Sequence, residues 1–341
     1  MISYYSTFIT GFGAVVKSAL INSLKNVKVE LLADGLIVYK TSSSPNAIQK
    51  IKFLNNSFVL LKKVDNLTAD PINDMMQIFL YEHKIENYIR RSIKGKRVKF
   101  RIRASIKNQF VSIDKDVLKK LEKKVEKISE KLQLDRSLPD IEFLLNVRSE
   151  GFGLIGLRFT HRGNYEKILE KGEIYPALAS ILCLISEPNK NDIFLDPFAG
   201  YGSIPKQRTF FPFKQIIAGD KDEKLVMDLS KKLWTRDDKV VVNRVDAYDL
   251  KDFKEDSISK IVTDPPWGLY NAKNFDVNKY YSMMLQEFCR IVRPKGLVVI
   301  LTAQKELLET IHLKFVELEL MEKYNTLVSG KKAGVYKFQI K

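Results

Sequence analysis

From about residue 163 onward, short apolar runs alternate with helical segments, and this alternation limits the fold more than any other feature of the chain. A helix is expected over 176–185, a strand over 193–195, then a glycine-containing turn and a helix. Strands follow at 215–218, 240–243, 258–262 and 297–301, with helices between them, near 280–291 and around Leu307, and a closing β-pair. Strands that alternate with helices must pair in parallel, because each crossover returns the chain to the same end of the sheet. The expected fold class is therefore α/β, a doubly wound Rossmann-like sheet. Its ligand crevice lies at the carboxyl ends of the strands.

Four loops fall at those ends. Strand 193–195 runs into Asp196, Pro197, Phe198, Ala199, Gly200, Tyr201, Gly202 and Ser203. Gly200 and Gly202 permit a tight turn and close backbone approach to a nucleotide-like ligand. A dinucleotide fingerprint wants Gly or Ala three residues after the second glycine, and here Pro205 stands there. The next strand ends in Asp220, placed to accept both hydroxyl protons of a ribose. The strand after it leads to Asp246 and Ala247, where a carboxylate can accept from an adenine amino group. Either aspartate alone could be a helix cap or a turn residue. Together with the glycine turn they describe a pocket for adenosine linked to something other than a pyrophosphate.

The fourth loop is Asp264, Pro265, Pro266, Trp267 and Gly268. The prolines fix the backbone and have no N–H, which leaves neighbouring carbonyls as acceptors. Asp264 adds a second acceptor and Trp267 a flat face for stacking a base. Such a loop suits a planar NH2 group.

The first half differs in charge. Residues 1–165 hold 29 Lys and Arg against 16 Asp and Glu, a net of +13, and so contribute most of the chain's +16. The excess peaks where Arg90, Arg91, Lys94, Lys96, Arg97, Lys99, Arg101 and Arg103 are opposed by Glu86 alone. From Val98 to Ile106, alternation puts apolar groups on one strand face and Lys99, Arg101, Arg103 and Ser105 on the other. An exposed basic stripe is expected there, suited to phosphate contact although also compatible with a solvated sheet. A helix is expected over 72–88, and an amphipathic helix with a solvated lysine face over 114–134. The pairs Gly11 and Gly13, and Gly151 and Gly153, each flank a phenylalanine and read as turns or close backbone approaches.

Two cysteines and three scattered histidines offer neither a disulfide framework nor metal-ligand spacing, so no metal is expected. Without a long apolar run or a secretory pattern at the start, a cytoplasmic chain free of the membrane is expected.

Asp196 to Pro205, Asp220, Asp246 and Thr263 to Gly268 resemble the motifs of class I S-adenosylmethionine-dependent methyltransferases that act on exocyclic amino nitrogens. Arg158 to Arg162 and Lys171 to Ser180 are similar to the stretch before the first strand in THUMP-domain RNA guanine-N2 methyltransferases. The resemblance implies S-adenosyl-L-methionine as cofactor, held by Pro176, Asp196, Phe198, Ala199, Gly200, Gly202, Ser203, Asp220, Asp246, Ala247 and Asp264. It implies catalysis by Asp264, Pro265, Pro266 and Trp267, with RNA, tRNA above all, as the partner; the oligomeric state is open, with a monomer favoured. The domains it implies are ferredoxin-like α+β over 1–65, THUMP-like over 66–162 and methyltransferase over 163–341. Trp267 departs from the tyrosine or phenylalanine more common in that family and is shared with N6-adenine methyltransferases, the nearest alternative. More distant alternatives are an NAD-dependent oxidoreductase and a non-catalytic RNA-binding module.

Overall fold

A computed structural model describes residues 1–92, 97–160, 169–170, 172–233, 238–268 and 276–341, with backbone alone at 91 and 92. The chain forms two compact units, one of residues 1–7 and 20–163 and the other of residues 8–19 and 164–341.

The first unit is built on one sheet. Its strands are β1 (Ile2–Thr7), β2 (Lys28–Ala33), β3 (Leu36–Thr41), β4 (Asn56–Val64), β5 (Val98–Ile106), β6 (Gln109–Val111), β7 (Leu132–Leu134), β8 (Ile141–Val147) and β9 (Gly153–Arg158). Their order is β2-β3-β1-β4-β9-β8-β5-β6, with β7 beside β5. A boundary at residue 65 is expected, but β4 pairs antiparallel with β9 from Phe58 opposite Arg158 to Val64 opposite Gly153. The sheet therefore runs continuously across that position.

Helices α1 (Gly13–Ser23), α2 (Pro45–Gln49), α3 (Pro71–Tyr81), α4 (His83–Ser92) and α5 (Lys115–Ile128) complete this half of the chain, α1 passing from the second unit into the first. Asp70 caps α3 by accepting from Asn73 N, and Pro71 supplies a preset first turn. The single helix expected over 72–88 is two. Glu82 is extended between them, and its carboxylate accepts from Lys62 Nζ at 3.1 Å. Helix α5 starts at the Asp114 cap and buries Leu121, Val125 and Ile128 at helical spacing.

The basic stripe expected on β5 is exposed only in part. Arg101 is 8% exposed and Ser105 is buried, whereas Lys99 is exposed. The Arg101 guanidinium pairs with buried Glu142, Ser105 Oγ bonds Asn146 Oδ1 at 3.1 Å, and the Arg103 guanidinium lies over the Phe110 ring. A buried guanidinium needs a carboxylate, and Glu142 on β8 supplies it.

The second unit has strands β10 (Ile193–Asp196), β11 (Gln215–Asp220), β12 (Val240–Arg244), β13 (Ile258–Thr263), β14 (Val292–Thr302), β15 (Leu318–Val328) and β16 (Lys331–Ile340). The order is β12-β11-β10-β13-β14-β16-β15, parallel through β14, with β16 antiparallel between β14 and β15. Helices α6 (Pro176–Ile185), α7 (Ser203–Arg208), α8 (Glu223–Lys232), α9 (Val277–Ile291) and α10 (Lys305–Ile311) accompany it. Helix α9 buries Met284, Leu285 and Phe288 with Leu195, Ile261 and Val298 of the sheet. Each such side chain, fully buried, contributes about 1.5–3 kcal/mol against the entropy of ordering it.

Residues 8–19 are part of this unit although they open the chain. Phe12 is fully buried with its ring 5.5 Å from that of Tyr324, and Thr326 Oγ1 donates to the Thr10 carbonyl at 3.0 Å. Gly11 has φ of +92°, and a Cβ there would lie 1.9 Å from the Asn325 carbonyl oxygen. The close approach requires glycine.

Candidate active site

Strand order reverses at β10, which has β11 on one side and β13 on the other. The crevice of a doubly wound sheet opens at such a switch point, beyond the carboxyl ends of the strands. Asp196 closes β10 and is fully buried. Its Oδ1 accepts from Thr263 Oγ1 at 2.8 Å and from Phe198 N at 3.2 Å, while buried Oδ2 has no hydrogen-bond partner among the described residues. Burial pushes this carboxyl up to about 8; the two hydrogen bonds oppose the rise and the nearby charges of Asp264 and Asp220 add to it.

The turn after Asp196 is laced to β11. Ala199 N donates to the Gly219 carbonyl at 2.8 Å, and Gly200 N donates to Asp220 Oδ2 at 3.0 Å. Gly202 sits at φ of +86°, and a Cβ there would lie 2.2 Å from Leu229 Cδ1. The turn is thus packed directly onto α8, with no room for a side chain. Asp220 Oδ1 accepts from Asp222 N at 3.0 Å, so each oxygen holds one backbone N–H and retains lone-pair capacity. Asp246 is exposed beyond β12 and accepts from Tyr248 N at 3.1 Å, with Ala247 buried beside it. Pro176 is at the first turn of α6, and in the preceding segment Glu173 Oε1 accepts from Ser203 Oγ at 3.4 Å.

Asp264 follows β13 and is half-buried; Pro265 is buried and Pro266 exposed. Burial pushes the Asp264 carboxyl up to about 7, against a lowering hydrogen bond from Trp267, whose Nε1 donates to Oδ1 at 2.8 Å. Asp196, Asp220, Asp264 and the glycine turn are thus brought to one end of the sheet.

Three residues here, Tyr248, Tyr280 and Gln304, are not signalled by motif. Phe198, Tyr248 and Tyr280 form an aromatic wall, with ring centroids 5.8 Å apart for Phe198 and Tyr248 and 4.7 Å for Tyr248 and Tyr280. The position of Tyr248 two residues after Asp246 is the one hint the sequence carries. At the end of β14, Gln304 Nε2 donates to the Trp267 carbonyl. Of the basic residues, Arg90, Arg97 and Lys99 are exposed in the first unit, with Arg90 paired to Glu86 at 3.0 Å and Lys99 to Asp135 at 2.9 Å. The side chains of Arg91, Lys94 and Lys96 lie outside the described residues.

Residues 206–333 match the RMKL-like methyltransferase domain family, UPF0020. The fold is that of a Rossmann-like methyltransferase. Over its full length the chain superposes on all of TrmN from Thermus thermophilus, with a TM-score of 0.79 at 18% identity. In sequence it is 28% identical over 190 residues, 52% of this chain, to a tRNA (guanine(6)-N2)-methyltransferase of Thermus thermophilus. It is 27% identical over 146 residues, 41% of this chain, to a tRNA (guanine(10)-N2)-dimethyltransferase of Methanocaldococcus jannaschii. These matches span 54% and 40% of the two relatives' own lengths.

Proposed function

We propose that this chain transfers a methyl group from S-adenosylmethionine to the exocyclic N2 of a guanosine in tRNA. The observation that carries the reading is the Asp264-Pro-Pro-Trp267 loop at the carboxyl end of β13, beside the Asp196 to Gly202 turn. The named activities of the two sequence relatives support the same base and the same RNA class.

The residues fit the cofactor. Asp196 Oδ2 is a buried acceptor in want of a donor, which suits an ammonium group. Asp220 would hold the ribose hydroxyls, Asp246 the adenine amino group, and Phe198 with Tyr248 an apolar border for the base. Gly200 and Gly202 keep the backbone low where the ligand crosses it, while Ala199, Ser203, Ala247 and Pro176 complete the border. When bound, the cofactor supplies an electrophilic methyl on a sulfonium sulfur and departs as the neutral thioether.

The acceptor nitrogen is a poor nucleophile because its lone pair is conjugated into the ring. Asp264 and the Pro265 carbonyl each accept one of its N–H groups, which turns the lone pair toward the methyl, and Pro266 fixes the path of the loop. Trp267 stacks on the base taken out of its stack. The new N–C bond forms, and Asp264, whose carboxyl already titrates near neutrality, takes the proton that the nitrogen sheds. Such positioning supplies up to about 7–11 kcal/mol of the barrier reduction.

Residues 66–162, THUMP-like in our reading, bind the RNA backbone through Arg90, Arg97 and Lys99, with Arg91, Lys94 and Lys96 as further candidates from sequence. The test of the reaction is Asp264→Ala. Methyl transfer to tRNA should fall by at least about tenfold at saturating S-adenosylmethionine; a smaller loss contradicts the role of this carboxylate.

A further inference from the structure

Holding one oxygen of the Asp264 carboxylate leaves the other as the acceptor for a substrate N–H. A free side chain would rotate and present either oxygen. In this chain the rotation is blocked by the residue three positions on, because Trp267 Nε1 donates to Asp264 Oδ1 at 2.8 Å. An indole N–H can only donate, so the bond has one direction.

The loop that carries the indole is itself anchored. Gln304 Nε2 donates to the Trp267 carbonyl, Gln304 N donates to Thr302 Oγ1 at 2.9 Å, and that hydroxyl meets Tyr281 Oη at 2.7 Å in the core. Three elements therefore brace the loop after β13: the end of β14, the turn into α10, and α9. Thr302 and Tyr281 are both buried, so the base of the brace is fixed by packing.

We infer that Trp267 and Gln304 are positioning residues for the methyl transfer, Gln304 fixing the Trp267 carbonyl and the Trp267 indole fixing one oxygen of Asp264, so that the other oxygen receives the amino group. The inference rests on the reading of Asp264 as the acceptor for that group. It gives the tryptophan of this tetrapeptide a task that phenylalanine, which has no N–H, cannot perform. The same ring face stays available to a base.

The hold on Asp264 also sets its ionisation. The groups that face it are Asp196 from β10 and Tyr281 from α9, besides Trp267 on its own loop. Burial favours the neutral acid, and the indole hydrogen bond favours the carboxylate.

The test uses the full-length chain with isotopically labelled tryptophan, which has two indole groups, Trp234 and Trp267. The indole resonance lost in Trp267→Phe should shift with pH through neutrality in the wild type, and cease to shift in Asp264→Asn. In steady-state methylation, Trp267→Phe should lower kcat about tenfold, leave KM for RNA within about twofold and move the acid limb of the pH profile upward. Gln304→Met, which keeps length and loses the donor, should lower kcat in the same direction by about three- to tenfold, so that the argument does not depend on one variant folding. An indole resonance indifferent to Asp264→Asn overturns the inference, as does wild-type kcat in both variants. A raised KM with unchanged kcat also overturns it, since that marks a ring that only stacks. If the indole follows Asp264 but the wild type methylates no RNA, the hydrogen bond stands and the proposed reaction falls.

Discussion

Thr263 donates its hydroxyl to Asp196 across the junction of β13 and β10, and the two strands that end in the Asp264 loop and the glycine turn are thereby tied at 2.8 Å. The bond satisfies one oxygen of a fully buried carboxyl and leaves the other without a partner. Thr263→Val keeps the shape and removes the donor. It should lower stability by about 1–3 kcal/mol and weaken S-adenosylmethionine binding. Chemical denaturation and equilibrium dialysis of the same variant measure both effects.

Asp196 and Asp264 are acids whose carboxyls burial pushes up to about 8 and about 7. Above about pH 4 the unfolded chain has released both protons and the folded chain without ligand still holds them. Stability from these groups is therefore fully present below about pH 4, declines as pH rises from there, and is lost once pH passes 7 to 8. The Asp196→Asn, Asp264→Asn double variant should show a flatter decline between pH 5 and 8 by denaturant titration. A cationic ligand favours the ionised forms, so affinity for S-adenosylmethionine should rise over that interval with proton release by calorimetry.

The two turn glycines should differ in tolerance. Gly202→Ala meets both a left-handed backbone and Leu229 Cδ1 at 2.2 Å, whereas Gly200, at φ of +51°, has nothing nearer than the Phe198 carbonyl oxygen at 4.0 Å. Gly200→Ala should cost about 1 kcal/mol and Gly202→Ala about 2–3 kcal/mol. The order of the two melting temperatures checks this.

Arg101 should behave as a structural residue. Arg101→Ala leaves Glu142 short of its closest guanidinium, at a cost of about 3–5 kcal/mol. Arg97→Ala, at an exposed site, should change stability by less than about 0.5 kcal/mol. It should reduce the slope of log affinity for RNA against log salt by about one. Melting curves beside a salt series of binding isotherms separate the two residues.

Much of the second unit is legible in the sequence because it depends on local pattern. The helix Pro176–Ile185 begins at a proline that presets its first turn, and β10, β11 and β13 are short apolar runs ending in Asp196, Asp220 and Thr263. The glycine at 202 reads as a turn because a turn residue is what the strand-to-helix junction requires.

What escapes the sequence depends on distant partners. The alternation from Val98 to Ile106 identifies a strand but not its neighbours, and the partner of Arg101 lies 41 residues further on. Phe12 packs with Tyr324, so the opening segment completes the unit formed mostly by the last half of the chain. The bond from Trp267 to Asp264 is local, yet it depends on side-chain rotamers that spacing does not reveal.

The membership of residues 8–19 in the second unit has its own consequence. Phe12→Ala should destabilise that unit by about 3–5 kcal/mol. A fragment of residues 164–341 should melt lower than the same fragment supplied with a peptide of residues 8–19.

The central claim is tested most directly by the product itself. After incubation of unmodified tRNA with the chain and S-adenosylmethionine, the RNA is digested to nucleosides and analysed by mass spectrometry. N2-methylated guanosine, absent with Asp264→Ala, is the predicted result; N6-methyladenosine, or no methylated nucleoside, contradicts the account.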